Sequence, residues 1–148
     1  MLTRASLEQS VGSELGVSDW TTVRQDQIDA FADITEDWQP IHLDPAAGQA
    51  AGFDGTVAHG FLTLSLLSKL IYEVVPKIEG ETASLNYGFD KVRFIAPVPG
   101  GAQVRARFSL LDASPRGSGL MLRLGVTVEI QGGPKPALTA DWLCLYLF

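Results

Sequence analysis

An α+β fold, in which a curled antiparallel sheet wraps a central buried helix, is predicted by three features of this 148-residue chain. Residues 60–75 read as a helix that is apolar almost all round. Leu62, Leu64, Leu66, Leu67, Leu70, Ile71, Val74 and Val75 cover most of its circumference, and only Lys69 and Glu73 are charged. A helix of that character needs cover from other elements. The second half of the chain then alternates apolar and polar residues in successive runs, as strands with one buried face do. The connections between those runs are short and rich in glycine and proline, so consecutive strands are expected to pair as antiparallel hairpins.

Each element follows in chain order. Residues 1–13 are polar and contain glycine, and are expected to form a loose lead-in. Residues 15–23 make a strand or strand pair, with Val17, Trp20 and Val23 as its apolar content. A helix follows from about Gln25 to Thr35, because Ile28, Phe31, Ala32 and Thr35 share one face while Asp26, Asp29 and Asp33 lie elsewhere. Asp26 complements the positive end of the helix dipole. Arg24 is a poor N-cap, which leaves that boundary soft. Pro40 is expected to stop the helix and to hold Gln39 extended. Residues 44–52, D-P-A-A-G-Q-A-A-G, form one short helix with Pro45 in its first turn. After a turn at residues 53–55, the apolar helix starts near Gly60 and ends before Pro76.

The remainder reads as strand. Residues 83–98 carry Tyr87, Phe89, Val92, Phe94 and Ile95, and are closed by the turn P-V-P-G-G. Val104, Ala106, Phe108 and Leu110 then alternate with Gln103, Arg105, Arg107 and Ser109. Beyond the turn S-P-R-G-S-G, Leu120, Leu122, Leu124, Val126, Val128 and Ile130 alternate again, with Arg123, Thr127 and Glu129 outward. Residues 138–148 are apolar on both faces, as expected of a strand buried on both sides or paired across an interface. A strand, a helix, a buried helix and four consecutive strands make the single hotdog fold, occupying residues 1–148 as one domain.

Composition narrows the function. The net charge is −6, and no basic cluster prepares a surface for nucleic acid or membrane. The single cysteine, Cys144, rules out an internal disulfide and suits a reducing compartment. The first residues lack the apolar core of a secretory signal, and residues 61–75 are too short and too interrupted to span a bilayer. A cytoplasmic protein is expected.

The chemistry concentrates between Asp37 and Ser68, where both histidines of the chain, His42 and His59, reside. Asp37 follows the first long helix, and His42 comes five residues later beyond Pro40. An imidazole with a carboxylate beside it suits proton transfer near neutral pH. Gly60 begins the buried helix, so its N–H is an unsatisfied donor at a positive dipole end, placed to stabilise a carbonyl that gains negative charge. A plainer reading serves the same residues: Asp37 as a turn cap, His42 as a core histidine bonded to backbone, and His59-Gly60 as a simple helix start. His42, Asp44 and His59 match no usual metal-ligand spacing, so no metal is expected. No G-x-S-x-G or Cys–His pairing points to covalent catalysis.

D-W-Q-P-I-H-L-D-P-A-A, followed by V-A-H-G-F-L-T-L-S-L-L-S, resembles the hydratase-2 motif of the MaoC-like family. The similarity continues through N-Y-G-F-D-K-V-R-F-I-A-P-V-P into the last strands, and is strongest with the NodN-like branch and its (R)-specific enoyl-CoA hydratase relatives. The resemblance implies a hotdog homodimer, or a dimer of dimers, that adds water reversibly to a trans-2-enoyl-CoA to give the (3R)-hydroxyacyl-CoA. No cofactor is implied beyond the coenzyme A of the substrate. Asp37 and His42 match the pair that holds the attacking water, and the spacing does not divide base from acid between them. Gly60 matches the residue whose amide receives the thioester oxygen, with His59 beside it, and Ser68 matches a serine lining the same site. Gln39 stands where the wider family has Asn, and Glu36 where a Gly usually precedes the Asp. Lys91 and Arg93 are candidates for the coenzyme A phosphates. The rival readings are a hotdog acyl-CoA thioesterase and a non-catalytic acyl-CoA-binding, NodN-like module.

Overall fold

In the computed structural model, which describes residues 1–148, six strands build one curled antiparallel sheet. They are β1 (Glu14–Val17), β2 (Thr21–Thr22), β3 (Ala83–Phe94), β4 (Gln103–Arg116), β5 (Gly119–Ile130) and β6 (Leu138–Leu147). The order across the sheet is β1-β4-β5-β6-β3, with β2 also on β4. The meander β4-β5-β6 is the run of hairpins expected from the short turns. Strand β3 departs from that expectation: it pairs with β6, from Ala83 opposite Leu147 to Phe94 opposite Leu138.

Alternation decides which face is buried. Val104, Ala106, Phe108 and Leu110 of β4 are fully buried, as are Leu120, Leu122 and Leu124 of β5. Leu138, Ala140, Trp142, Cys144 and Tyr146 of β6 continue that inner face, while the residues between them are half-buried, so β6 is buried on one side only. Burial pushes the Cys144 thiol up to about 12, so it stays protonated and unreactive at neutral pH.

Six helical segments accompany the sheet: α1 (Arg4–Glu8), α2 (Gln25–Thr35), α3 (Pro40–Leu43), α4 (Pro45–Ala50), α5 (Gly60–Ser65) and α6 (Leu67–Val74). The first corrects the loose lead-in. Thr3 Oγ1 accepts from the Ser6 N–H and Ser6 Oγ from the Thr3 N–H, each at 3.1 Å. This reciprocal cap anchors a turn whose Leu7 is 1% exposed. Helix α2 has the expected bounds, and Gln27 Oε1 takes the Arg24 N–H that the arginine cannot cap. Pro40 does not end it. Glu36 does, in the left-handed region at φ 58°, and Pro40 instead opens α3, where its fixed φ suits a first helical position. Asp44 caps α4 by accepting the Ala46 N–H at 3.0 Å.

The apolar helix is interrupted at Leu66, which divides it into α5 and α6. The sheet covers one side of it. Leu62, Leu67, Leu70 and Ile71 are buried, whereas Phe61 and Tyr72 are each 69% exposed. Strand β4 also runs into the expected turn, as far as Arg116, with a bulge between Leu110 and Asp112. Pro115 is tolerated there because β1 pairs with β4 only as far as Ser109. None of these helices is long and apolar enough to cross a membrane.

Candidate active site

Three short segments bring the site together. The left-handed turn at Glu36 directs Asp37 away from α2; α3 carries His42; and the segment 56–59 leads into α5. Four residues make no stable helix alone, so the position of His42 is set by its tertiary bonds. The Val57 N–H donates to Ile41 O at 3.1 Å, and the Val57 carbonyl lies 2.6 Å from His42 Nδ1. A carbonyl only accepts, so Nδ1 carries a proton, and in the neutral imidazole the lone pair is then on Nε2.

His59 is 2% exposed and serves this arrangement from beneath. Its ring stacks on His42 at 3.8 Å between centroids, tilted by 23°, and meets Phe31 at 4.9 Å on another side. Nε2 donates to the Asp37 carbonyl at 3.0 Å, while Nδ1 is buried with no hydrogen-bond partner. The Asp37 side chain is about half exposed, and its Oδ1 faces the Gln39 N–H at 3.4 Å.

A carboxylate oxygen of Asp37 and a ring nitrogen of each histidine lie within 4.8 Å of one another. That separation is spanned by one water bonded to two partners at about 2.8 Å each. It does not suit a metal ion. Stacked rings point their in-plane lone pairs side by side instead of at a common centre, and two of the four ring nitrogens already hold carbonyls.

His42 lines a cavity of about 290 Å³, together with Val57, Gly60, Thr63, Phe94, Pro97 and Leu138 among others. The lining is mostly apolar, with Thr63 and His42 as its polar side chains. Gly60 opens α5, where its N–H has no upstream carbonyl within the helix to receive it. Phe94 packs so closely there that a Cβ on residue 60 would lie 3.0 Å from the ring. Gly60 therefore brings bare backbone to the cavity wall.

Asp37, His42, His59 and Gly60 are thus brought together. Ser68 is not brought to them within one chain: it lines a separate hollow of about 50 Å³ with Tyr72, Asn86 and Trp142. Lys91 and Arg93 oppose Asp141 and Thr139 in the β3–β6 register, on the outer face, away from the cavity. Val57 and Thr63 were passed over in the sequence. An apolar residue that acts through its carbonyl leaves no signal there, and Thr63 reads as one more helix position.

A family model described as "MaoC like domain" matches residues 6–122. The chain is 48% identical to nodulation protein N of Rhizobium leguminosarum bv. viciae, over 99% of this chain and 92% of that one. It is 42% identical to 3-hydroxyacyl-thioester dehydratase Z of Mycobacterium tuberculosis, over 97% and 95%. Among solved structures, the (R)-hydratase from A. caviae involved in PHA biosynthesis superposes with a TM-score of 0.69 at 28% identity, covering 90% of this chain and 96% of that one.

Proposed function

We propose that this chain, which belongs to the MaoC-like family, is a hydro-lyase that hydrates trans-2-enoyl-CoA thioesters reversibly to (3R)-hydroxyacyl-CoA. The observation that carries the reading is that an Asp37 carboxylate oxygen and a His42 ring nitrogen lie within 4.8 Å of each other, with His42 at the wall of an apolar cavity. The names of the mycobacterial dehydratase and the A. caviae hydratase point to the same reaction class.

The mechanism follows from the donors and acceptors. The thioester carbonyl docks on the Gly60 N–H, and electron density is drawn away from C3. Asp37 and His42 Nε2 hold one water between them and remove its proton as the oxygen bonds to C3. A proton then returns to C2, and the same groups run the reverse dehydration. The proton on His42 Nδ1 leaves its Nε2 an acceptor, as the Asp37 carboxylate also is, so both groups can take a proton from the water and neither is singled out as the base. A positioned acid–base pair contributes about 10²–10⁴-fold, and one oxyanion donor about 10²–10³-fold. The acyl chain lies against the apolar wall made by Val57, Phe94 and Leu138.

The test follows enoyl thioester absorbance and free thiol release separately, with the product's configuration read by an (R)-specific 3-hydroxyacyl-CoA dehydrogenase. Loss of the enoyl signal without thiol release is expected, and thiol release would instead identify a thioesterase. Asp37→Asn and His42→Gln should each lower turnover at least about a hundredfold. The double variant should be little worse, since the pair acts as a unit. Near-parental turnover of Asp37→Asn, or a (3S) product, would reject the assignment.

A second copy of the chain is the proposed partner. Phe61, Tyr72, Leu85, Tyr87 and Phe94 are all 48% exposed or more and lie on α5, α6 and β3. Phe61, Tyr72 and Phe94 stand on the side of the central helix that the sheet leaves open, Phe61 meeting Phe94 edge-on, and β3 is a terminal strand of that sheet. An exposed apolar face beside an unpaired strand edge is an association surface.

A further inference from the structure

The segment that carries His42 is closed into a circuit of hydrogen bonds by two residues that stand outside the proposed chemistry. Gln25 is the first residue of α2. Its Nε2 donates to the His42 carbonyl at 2.8 Å and to Asp29 Oδ1 at 2.9 Å. Its Oε1 accepts from Thr56 Oγ1 at 2.6 Å. Thr56 is followed by Val57, whose carbonyl holds the His42 ring at Nδ1 and whose N–H holds Ile41. The circuit therefore runs from Gln25 to the His42 backbone, through the His42 ring to Val57, and back through Thr56 to Gln25.

The partners dictate which way the Gln25 amide points. Both Nε2 protons meet groups that only accept, and Oε1 meets a hydroxyl. A carboxylate at the same place would face a carbonyl and the Asp29 carboxylate, losing two bonds and gaining two repulsions. Gly100 seals the arrangement. Its N–H donates to Thr56 O at 3.0 Å. A Cβ on Gly100 would lie 2.5 Å from Thr56 Oγ1 and 2.8 Å from Gln25 Oε1, so only glycine leaves room for the bond between them.

We infer that Gln25 and Thr56 are positioning residues for His42: they fix the short helix α3 and the Val57 carbonyl relative to each other, and so hold His42 in the tautomer that presents Nε2 to water. The kinetic consequence rests on the hydratase reading above; the geometric one does not. A displacement of about 1 Å in a reacting group costs on the order of a hundredfold in rate.

The experiment compares Gln25→Glu and Thr56→Val with the conservative Thr56→Ser, each confirmed folded by circular dichroism. Gln25→Glu and Thr56→Val should lower kcat about ten- to a hundredfold, with KM within about twofold of the parent. Thr56→Ser, which keeps the hydroxyl, should restore kcat to near the parent. A second readout is independent of turnover: nitrogen-15 NMR of the two imidazoles, assigned with His42→Gln. It should show His42 as one neutral tautomer protonated at Nδ1 in the parent and in Thr56→Ser, and as a mixture in the other two. Unchanged kcat and an unchanged tautomer in folded Gln25→Glu and Thr56→Val would overturn the inference. So would a Thr56→Ser variant as impaired as Thr56→Val, or a kcat loss with the tautomer unmoved. If the parent hydrates no enoyl thioester, the proposed function fails, and the NMR comparison still decides the positioning.

Discussion

At the scale of single residues, His59 shows how a buried polar ring can support a site without reacting. It supplies a stacking face for His42 and a donor for the Asp37 carbonyl. Its Nδ1 is buried without a partner, which costs stability, since stranding a buried polar atom costs about 1–3 kcal/mol. His59→Phe keeps a flat ring, removes that stranded nitrogen and leaves the Asp37 carbonyl without its donor. Asp37 is near solvent, so water can take up the carbonyl. The two effects nearly cancel, and stability by urea unfolding should change by no more than about 1 kcal/mol. Turnover should fall nonetheless, because the backbone of Asp37 is no longer held against His42. A large stability loss with turnover preserved per folded molecule would show instead that His59 is only a packing residue.

At the scale of elements, α1 carries weight that its composition conceals. Leu7 is the one residue of this helix that is buried. Leu7→Ala should cost about 2–5 kcal/mol in thermal or urea unfolding. Glu8→Ala, which removes only an exposed pairing with Arg4 at 3.8 Å, should stay within about 0.5 kcal/mol. A five-residue helix with one apolar contact has too little periodicity to be legible, and its Thr3–Ser6 cap lacks the glutamate that usually marks one. Elements whose apolar residues repeat over two or more turns, or over several alternations, were legible: α2 matched at both ends, and the inner faces of β4 up to Leu110 and of β5 were readable residue by residue. The partner of β3 was not. Alternation says which side of a strand is buried and nothing about which strand lies beside it. The break at Leu66 was hidden for a related reason, because a leucine in a leucine-rich helix signals no interruption. Within the site, Asp37, His42 and Gly60 stood out as polar or bare positions in an apolar context, whereas the Val57 carbonyl and the Gln25–Thr56 pair act through bonds that sequence spacing does not encode.

At the scale of the whole molecule, the open side of the central helix carries the proposed contact with a second copy. Light scattering at micromolar concentration should give at least a dimer. Replacing Phe61 and Tyr72 together with Asp should yield a monomer, since each places a charge on the exposed apolar side of the central helix; a parent that is monomeric would remove the case for a second copy. The sheet order has another consequence, for how the chain reaches this state at all. Strand β6 lies between β5 and β3, yet it leaves the ribosome after both. Until it arrives, β3 has no neighbour in the sheet and β5 has one open edge, so the nascent chain holds two strands waiting on a third. Such long-range closure is slow and leaves edges open to other chains in the interval. The same wiring acts as a check on completeness. A chain cut before Leu138 lacks the strand that joins the two parts of its sheet, and it cannot approximate the native fold by losing one end.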